Sequence, residues 1–192
     1  MSWCDIGVNF TDKRLFFEPV FERALAADVS HIIITGTSLD KSQKAIQLAE
    51  KYPNHLSATV GVHPHDASQF NVQTINELKI LAKSDRVAAI GECGLDFNRN
   101  FSTPTEQLFA FEQQLKLACE LGLPVFLHER DAFDAQIELL SKYRKELKGG
   151  VVHCFTGNTE QMNRYLDLDL YIGITGWVCD LKRGHTLREA VK

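Results

Sequence analysis

Three apolar runs in this chain each give way to a side chain that can hold a metal ion or move a proton. Val87-Ala-Ala-Ile-Gly91 leads to Glu92, Val125-Phe-Leu127 to His128, and Val151-Val152 to His153. A carboxylate left unpaired at a buried strand end is costly, so Glu92 needs a partner, and a metal ion is the obvious one. Neutral imidazole is a common metal ligand, and carboxylate oxygens suit hard divalent ions. Glu92, His128 and His153 are therefore the expected metal ligands, with Mg²⁺ the first expectation and Mn²⁺ or Zn²⁺ the alternatives. A carboxylate can also bridge two ions, an arrangement suited to in-line displacement at phosphorus. Singly, each histidine reads more readily as a hydrogen-bonded core or loop residue. The repetition argues for a site.

Other side chains could serve such a site. His63 and His65 flank Pro64 just after the run Ser57–Val62. His63 is expected to face substrate and, with Glu92, to be catalytic. An exposed turn is the competing reading. His65, Arg99, Arg130 and Asn9 complete the expected substrate contacts, although ordinary surface charge explains arginines equally well. Asp66 and Asp96 are helix caps or partners of the histidines, and Asp131 is expected to cap a helix. Trp177 either stacks a base or packs the rim. Cys93 and Cys154 each follow an expected ligand, but the neighbour of an inward-facing strand residue points to the other face.

The elements that must position these residues alternate. Strands are expected at Cys4–Phe10, His31–Gly36, Ser57–Val62, Val87–Phe97, Val125–Leu127, Val151–His153 and Leu170–Trp177. Asp5, Gly7 and Asn9 share one face of the first. Helices are expected at Glu18–Ala27, from Thr37 or Ser38 to about Tyr52, at Thr74–Lys83, from Thr103, around Ile137–Leu147, at Thr159–Leu166 and at Leu187–Lys192. Thr103-Pro-Thr-Glu106 combines a capping box with proline at the first helical position. Strand-helix alternation predicts a parallel α/β fold. Glu92 and His128 are 36 residues apart and His128 and His153 are 25 apart. A (β/α)₈ barrel of ~250 residues repeats every ~31, with its active site at the C-terminal strand ends. A TIM-like (β/α)₈ barrel is the expected fold. An open doubly wound sheet is second, because a glycine-rich phosphate loop after the first strand is missing.

The 192 residues, 44% hydrophobic with a formal charge of −4, suit one domain spanning 1–192. They predict a barrel stopping before its eighth strand, with open edges that invite association; a complete barrel would be a monomer. Five widely spaced cysteines are neither a disulfide framework nor a zinc knuckle. No signal-peptide pattern or membrane-length apolar run is present, so a cytoplasmic protein without membrane contact is expected. With no basic stripe for gripping duplex, a nucleic-acid substrate would be engaged locally, at an end or single strand.

The motifs together resemble the TatD-type metal-dependent deoxyribonucleases of the amidohydrolase-like barrel superfamily. The carriers are Asp5-Ile-Gly-Val-Asn9, Thr35-Gly36-Thr37, Gly61-Val-His63-Pro64-His65, Ile90-Gly-Glu92-Cys-Gly-Leu-Asp96-Phe97, Phe126-Leu-His128-Glu-Arg130, Val152-His153-Cys-Phe155 and Tyr171-Ile-Gly-Ile-Thr-Gly176-Trp177. The resemblance implies a distorted barrel, a divalent metal and phosphodiester hydrolysis. More narrowly, the chain is similar to the bacterial branch that trims single-stranded DNA or RNA from the 3′ end. By resemblance Glu92, His128 and His153 fall on metal-ligand positions and His63 near the substrate phosphate. Two departures stand out. Gly7 and Asn9 occupy positions where many relatives carry metal-binding histidines, implying one weaker or differently held metal position. The family's aspartate at the end of strand eight has no counterpart here. A small-amide or ester hydrolase and an inactive truncated remnant are the rival expectations.

Overall fold

The computed structural model describes residues 2–192. Seven strands occupy Trp3–Val8 (β1), Val29–Ile34 (β2), Leu56–Val60 (β3), Val87–Asp96 (β4), Val125–Arg130 (β5), Gly150–Val152 (β6) and Tyr171–Ile172 (β7). Between and after them run helices Phe17–Ala26 (α1), Leu39–Lys51 (α2), Val72–Leu81 (α3), Pro104–Leu121 (α4), Phe133–Tyr143 (α5), Thr159–Asp167 (α6) and His185–Ala190 (α7). The strands pair in chain order, every pair parallel. They curl into a partial TIM-like barrel. Among the described residues β1 pairs only with β2, and β7 only with β6. No helix among them is long and apolar enough to cross a membrane.

Local chemistry explains the sharpest boundaries. Thr103 and Glu106 form the expected capping box at α4, Pro104 opens the helix, and Gly122 closes it with φ +62. Ser38 caps α2 by accepting the Lys41 N–H at 3.3 Å. Asn71 and Thr74 make a capping box that places α3 two residues earlier than the periodicity predicts. The core lies between sheet and helices: Ile34, Leu56, Val60, Ile90, Leu127, Leu115 and Leu140 are buried.

Three expectations need correction, while the fourth strand follows its expected course. The fourth strand runs from Val87 to Asp96, within one residue of its expected end. Between the pairs Ile90↔Val125 and Cys93↔Leu127, β4 spends one residue more than β5. That bulge re-aims the strand and turns Glu92 into the site from mid-strand. The seventh strand is reduced to Tyr171–Ile172, because Thr175 caps a 3₁₀ turn at Gly176–Cys179. Asp131 is not a cap: it has φ +53 and accepts from the Asn98 amide at 2.6 Å, while Glu129 accepts the Ala132 N–H at 2.8 Å. Leu147 lies beyond α5 yet is buried in the core.

Candidate active site

Glu92 is 5% exposed, and one oxygen, Oε1, is the meeting point of three imidazoles. His153 Nε2 lies 2.6 Å from it, His128 Nδ1 3.0 Å and His63 Nε2 3.5 Å. A second carboxylate extends the cluster: Asp96 Oδ2 receives His65 Nε2 at 2.8 Å and His128 Nε2 at 3.4 Å. Its other oxygen accepts the Asn98 and Arg99 N–H groups at 3.1 and 2.9 Å. Asp96 is thus a partner of the histidines. Cys93 points away into the core, where burial pushes its thiol up. That orientation removes it as a ligand.

The charge states follow from this geometry. Burial opposes ionisation of Glu92, but hydrogen bonds from His128 and His153 hold its carboxyl well below the ordinary range. Asp96 is likewise desolvated, yet bonds from His128, the Arg99 N–H and His65 keep it ionised. Burial also works against a charged His128; its two carboxylate partners, Asp96 and Glu92, outweigh that and raise it to about 9. His63 goes the other way: burial lowers it to about 3. Its Nδ1 accepts the His65 N–H at 3.1 Å, so the neutral ring carries its proton on Nε2, toward Glu92.

These states fix a pH dependence for the metal-free fold. The raised His128 contributes stability that is complete below ~6.5, its unfolded value, and is lost as pH rises through about 9. The loss is worth up to about 3 kcal/mol. The lowered His63 and the two lowered carboxylates act oppositely, and their contribution disappears as pH falls into the acid range. Melting temperature measured with chelator should peak near ~6.5 and fall on both sides. A flat profile on the alkaline side would rule out the His128–carboxylate pairing.

The residues fit a divalent ion. His63, Glu92 and His128 each offer a ligand atom, all within 4.8 Å of one another. His153 approaches the same Glu92 oxygen, with its ring stacked on Phe126 at 4.7 Å between centroids. Gly7 supplies no donor, and a Cβ there would sit 3.3 Å from His153 Nδ1 with φ +86. Asn9, His63, His65, Arg99 and Arg130, the five expected substrate contacts, all line one cleft of about 730 Å³ with Glu92 and Asp96 on its wall. Lys41 and Phe101 also line it. Phe101 is 65% exposed and meets the His65 ring edge-on at 4.8 Å. It was invisible in the sequence, where a lone aromatic in a polar loop carries no periodic signal. A second cleft of about 470 Å³ adjoins the first at His128 and Arg130 and includes His153 and Trp177. Trp177 carries the Arg183 guanidinium over its ring at 4.3 Å, so it has a packing partner.

The sequence model of the TatD related DNase family matches residues 4–192. The chain belongs to the TatD family. It is 53% identical over 187 residues to the 3′-5′ ssDNA/RNA exonuclease TatD of Citrobacter koseri, covering 96% of this chain and 72% of that protein. Identity to the protein of the same name from Salmonella typhimurium is 50% over 187 residues, with the same coverage of 96% and 72%. Among solved structures, a TatD family hydrolase from Entamoeba histolytica superposes with TM-score 0.82 at 34% identity, over 92% of this chain and 65% of that one. The TatD homolog YJJV from Escherichia coli gives 0.80 at 30% identity, over 92% of this chain and 69% of that one.

Proposed function

We propose that the chain is a metal-dependent nuclease that shortens single-stranded DNA or RNA from the 3′ end. The observation that carries the reading is the single buried Glu92 oxygen shared by three imidazoles, at a cleft lined by Lys41, Arg99 and Arg130. The bacterial relatives' activity supports the substrate and the polarity.

Glu92, His128 and His153 hold the ion, with Mg²⁺ the preferred candidate. His63 stands farther from the shared Glu92 oxygen, at 3.5 Å against 2.6 Å for His153 and 3.0 Å for His128, and is read as the phosphate contact. Bound there, a divalent ion supplies Lewis-acid stabilisation of phosphoryl charge and acidifies water. The chain's own residues do the rest. Neutral His63 donates from Nε2 to a phosphate oxygen, and Arg99 and Arg130 neutralise and orient the phosphate. Phe101 offers an exposed ring on which a base can stack, a contact that tolerates any sequence. Asp96 holds His65 and His128 in place through its Oδ2. The five free cysteines favour a reducing, cytoplasmic setting.

The test is cleavage of a 5′-labelled single-stranded oligonucleotide with Mg²⁺ and with chelator. A ladder shortening from the 3′ end, abolished by chelator, is expected. Cleavage that persists in chelator, or internal cuts without end trimming, would overturn the proposal.

A further inference from the structure

The backbone of this cleft is held from behind by side-chain amides. Gln107 and Gln136 are 0% exposed and Gln114 is 1% exposed. Gln114 Oε1 accepts the Val62 N–H at 2.8 Å, and its Nε2 donates to the Val62 carbonyl at 3.0 Å. Gln107 treats Asp96 the same way: Oε1 accepts the N–H at 2.8 Å and Nε2 donates to the carbonyl at 3.0 Å. The Gln107 Nε2 also reaches the Ser102 carbonyl at 2.9 Å. Gln136 makes half of such a pair, accepting the Leu95 N–H at 3.2 Å.

The placement follows the sheet. The register between β3 and β4 ends at Val60↔Ile90, so Val62 lies where these strands separate toward the cleft. Asp96 is the last residue of β4, with its backbone turned toward α4. A buried peptide group with no partner costs about 1–3 kcal/mol. A primary amide offers the same donor and acceptor as a peptide. By pairing through both, each glutamine stands in for a neighbouring strand at the point where none is present. Gln107 and Gln114 are two turns apart on one face of α4. A single helix therefore fixes both clamped residues. Val62 is followed directly by His63, and Asp96 anchors His65 and His128. Neither glutamine lines the cleft.

We infer that Gln107 and Gln114 are positioning residues for the nuclease reaction: through the peptides of Asp96 and Val62 they set where the histidines stand relative to Glu92. The inference rests on the functional reading of the cleft given above. It distinguishes the roles of two chemically similar substitutions. Methionine keeps the length and removes both hydrogen bonds. Glutamate keeps the acceptor for the N–H and loses the donor to the carbonyl.

The experiment compares Gln107→Met, Gln107→Glu, Gln114→Met and Gln114→Glu with Leu78→Ala, a core truncation in α3 at a residue that does not line the cleft. Each is measured for melting temperature, for kcat and KM on the oligonucleotide, and for imidazole ¹⁵N signals in the metal-free protein. Variants at Gln107 are expected to move the ring signals of His65 and His128, and those at Gln114 the signals of His63. kcat should fall about 10–100-fold with KM changed by less than about threefold. Leu78→Ala should lower the melting temperature and leave the ring signals unmoved. Unmoved ring signals in the glutamine variants, or equal movement in Leu78→Ala, would overturn the inference. Where a methionine variant fails to fold, the glutamate variant at that position carries the same comparison. The ring signals need no substrate, so a chain without nuclease activity would sink the functional reading while the clamps are still judged on the spectra.

Discussion

Glu92→Gln is expected to abolish metal-dependent cleavage while leaving a folded chain. Glutamine matches glutamate in shape and removes its charge and one acceptor. In the native site a single oxygen of Glu92 serves His153, His128 and His63 at 2.6, 3.0 and 3.5 Å. After substitution the cluster keeps one carboxylate, Asp96, which holds His128 and His65. His128 then loses one of the two partners that raise it to about 9. With less negative charge to balance a divalent ion, the site should lose affinity as well as rate. Losing an outer partner of a metal-ligating group costs about 10–100-fold. Losing a carboxylate at the centre should exceed that, with more than ~100-fold lost in kcat/KM. The rise in melting temperature that Mg²⁺ or Mn²⁺ gives the native chain, which follows from binding to the folded state alone, should shrink in parallel. If Glu92→Gln cleaved and responded to metal like the native chain, Glu92 would not be the centre of the site.

Much of this centre was legible because ligand chemistry and strand periodicity coincide. Glu92, His128 and His153 stand out because charged or titratable side chains directly follow runs that can only be buried. Their spacing sorted them into successive repeats of one sheet, and the sheet places them around one oxygen. Asp96 was half legible: a carboxylate four residues past Glu92 could cap a turn or hold a histidine. The structure uses both oxygens, one for the Asn98 and Arg99 N–H groups and one for His65 and His128.

What escaped the sequence is of one physical kind: interactions whose partner is distant backbone. Gln107 and Gln114 read as polar positions on a helix that would otherwise face solvent. Their burial depends on two peptide groups 11 and 52 residues away. The bulge in β4 is equally silent, because its cause is the register with β5. Asp131 fails as a cap for the same reason: Asn98, across the strand mouths, claims its carboxylate. The seventh strand keeps only Tyr171–Ile172 of its expected range, because Thr175 caps a 3₁₀ turn, a local choice that an apolar run does not encode.

The bulge also locates a severely damaging small substitution. Gly91→Ala is expected to destabilise the chain by more than ~4 kcal/mol, at the extreme of single-residue effects. Gly91 has φ +145, and a Cβ added there would lie 2.1 Å from the Phe126 carbonyl oxygen and 2.9 Å from Phe126 Cβ. The first obstacle is backbone, so no rotamer change relieves it. The strand on the other side is equally close: a Cβ on Gly61 would meet the Gly91 carbonyl carbon at 2.6 Å. β4 is therefore gripped between β3 and β5 immediately beside Glu92, and cannot move away from one without meeting the other. For a chain of this size each kcal/mol lowers the melting temperature by about 2–4 °C, so the drop should be roughly 8–16 °C. Gly122→Ala is the control, since Gly122 also has positive φ, +62, but a Cβ there meets nothing within 4 Å. It should cost about 1 kcal/mol from backbone conformation alone. Whatever fraction of Gly91→Ala folds must part β4 from β5, and that movement carries Glu92 away from His128. Activity should therefore fall further than stability predicts, whereas Gly122→Ala keeps it. Equal melting temperatures for the two variants would show that the strands around Glu92 are not in close contact, and the account of how the sheet aims that carboxylate would fall with them.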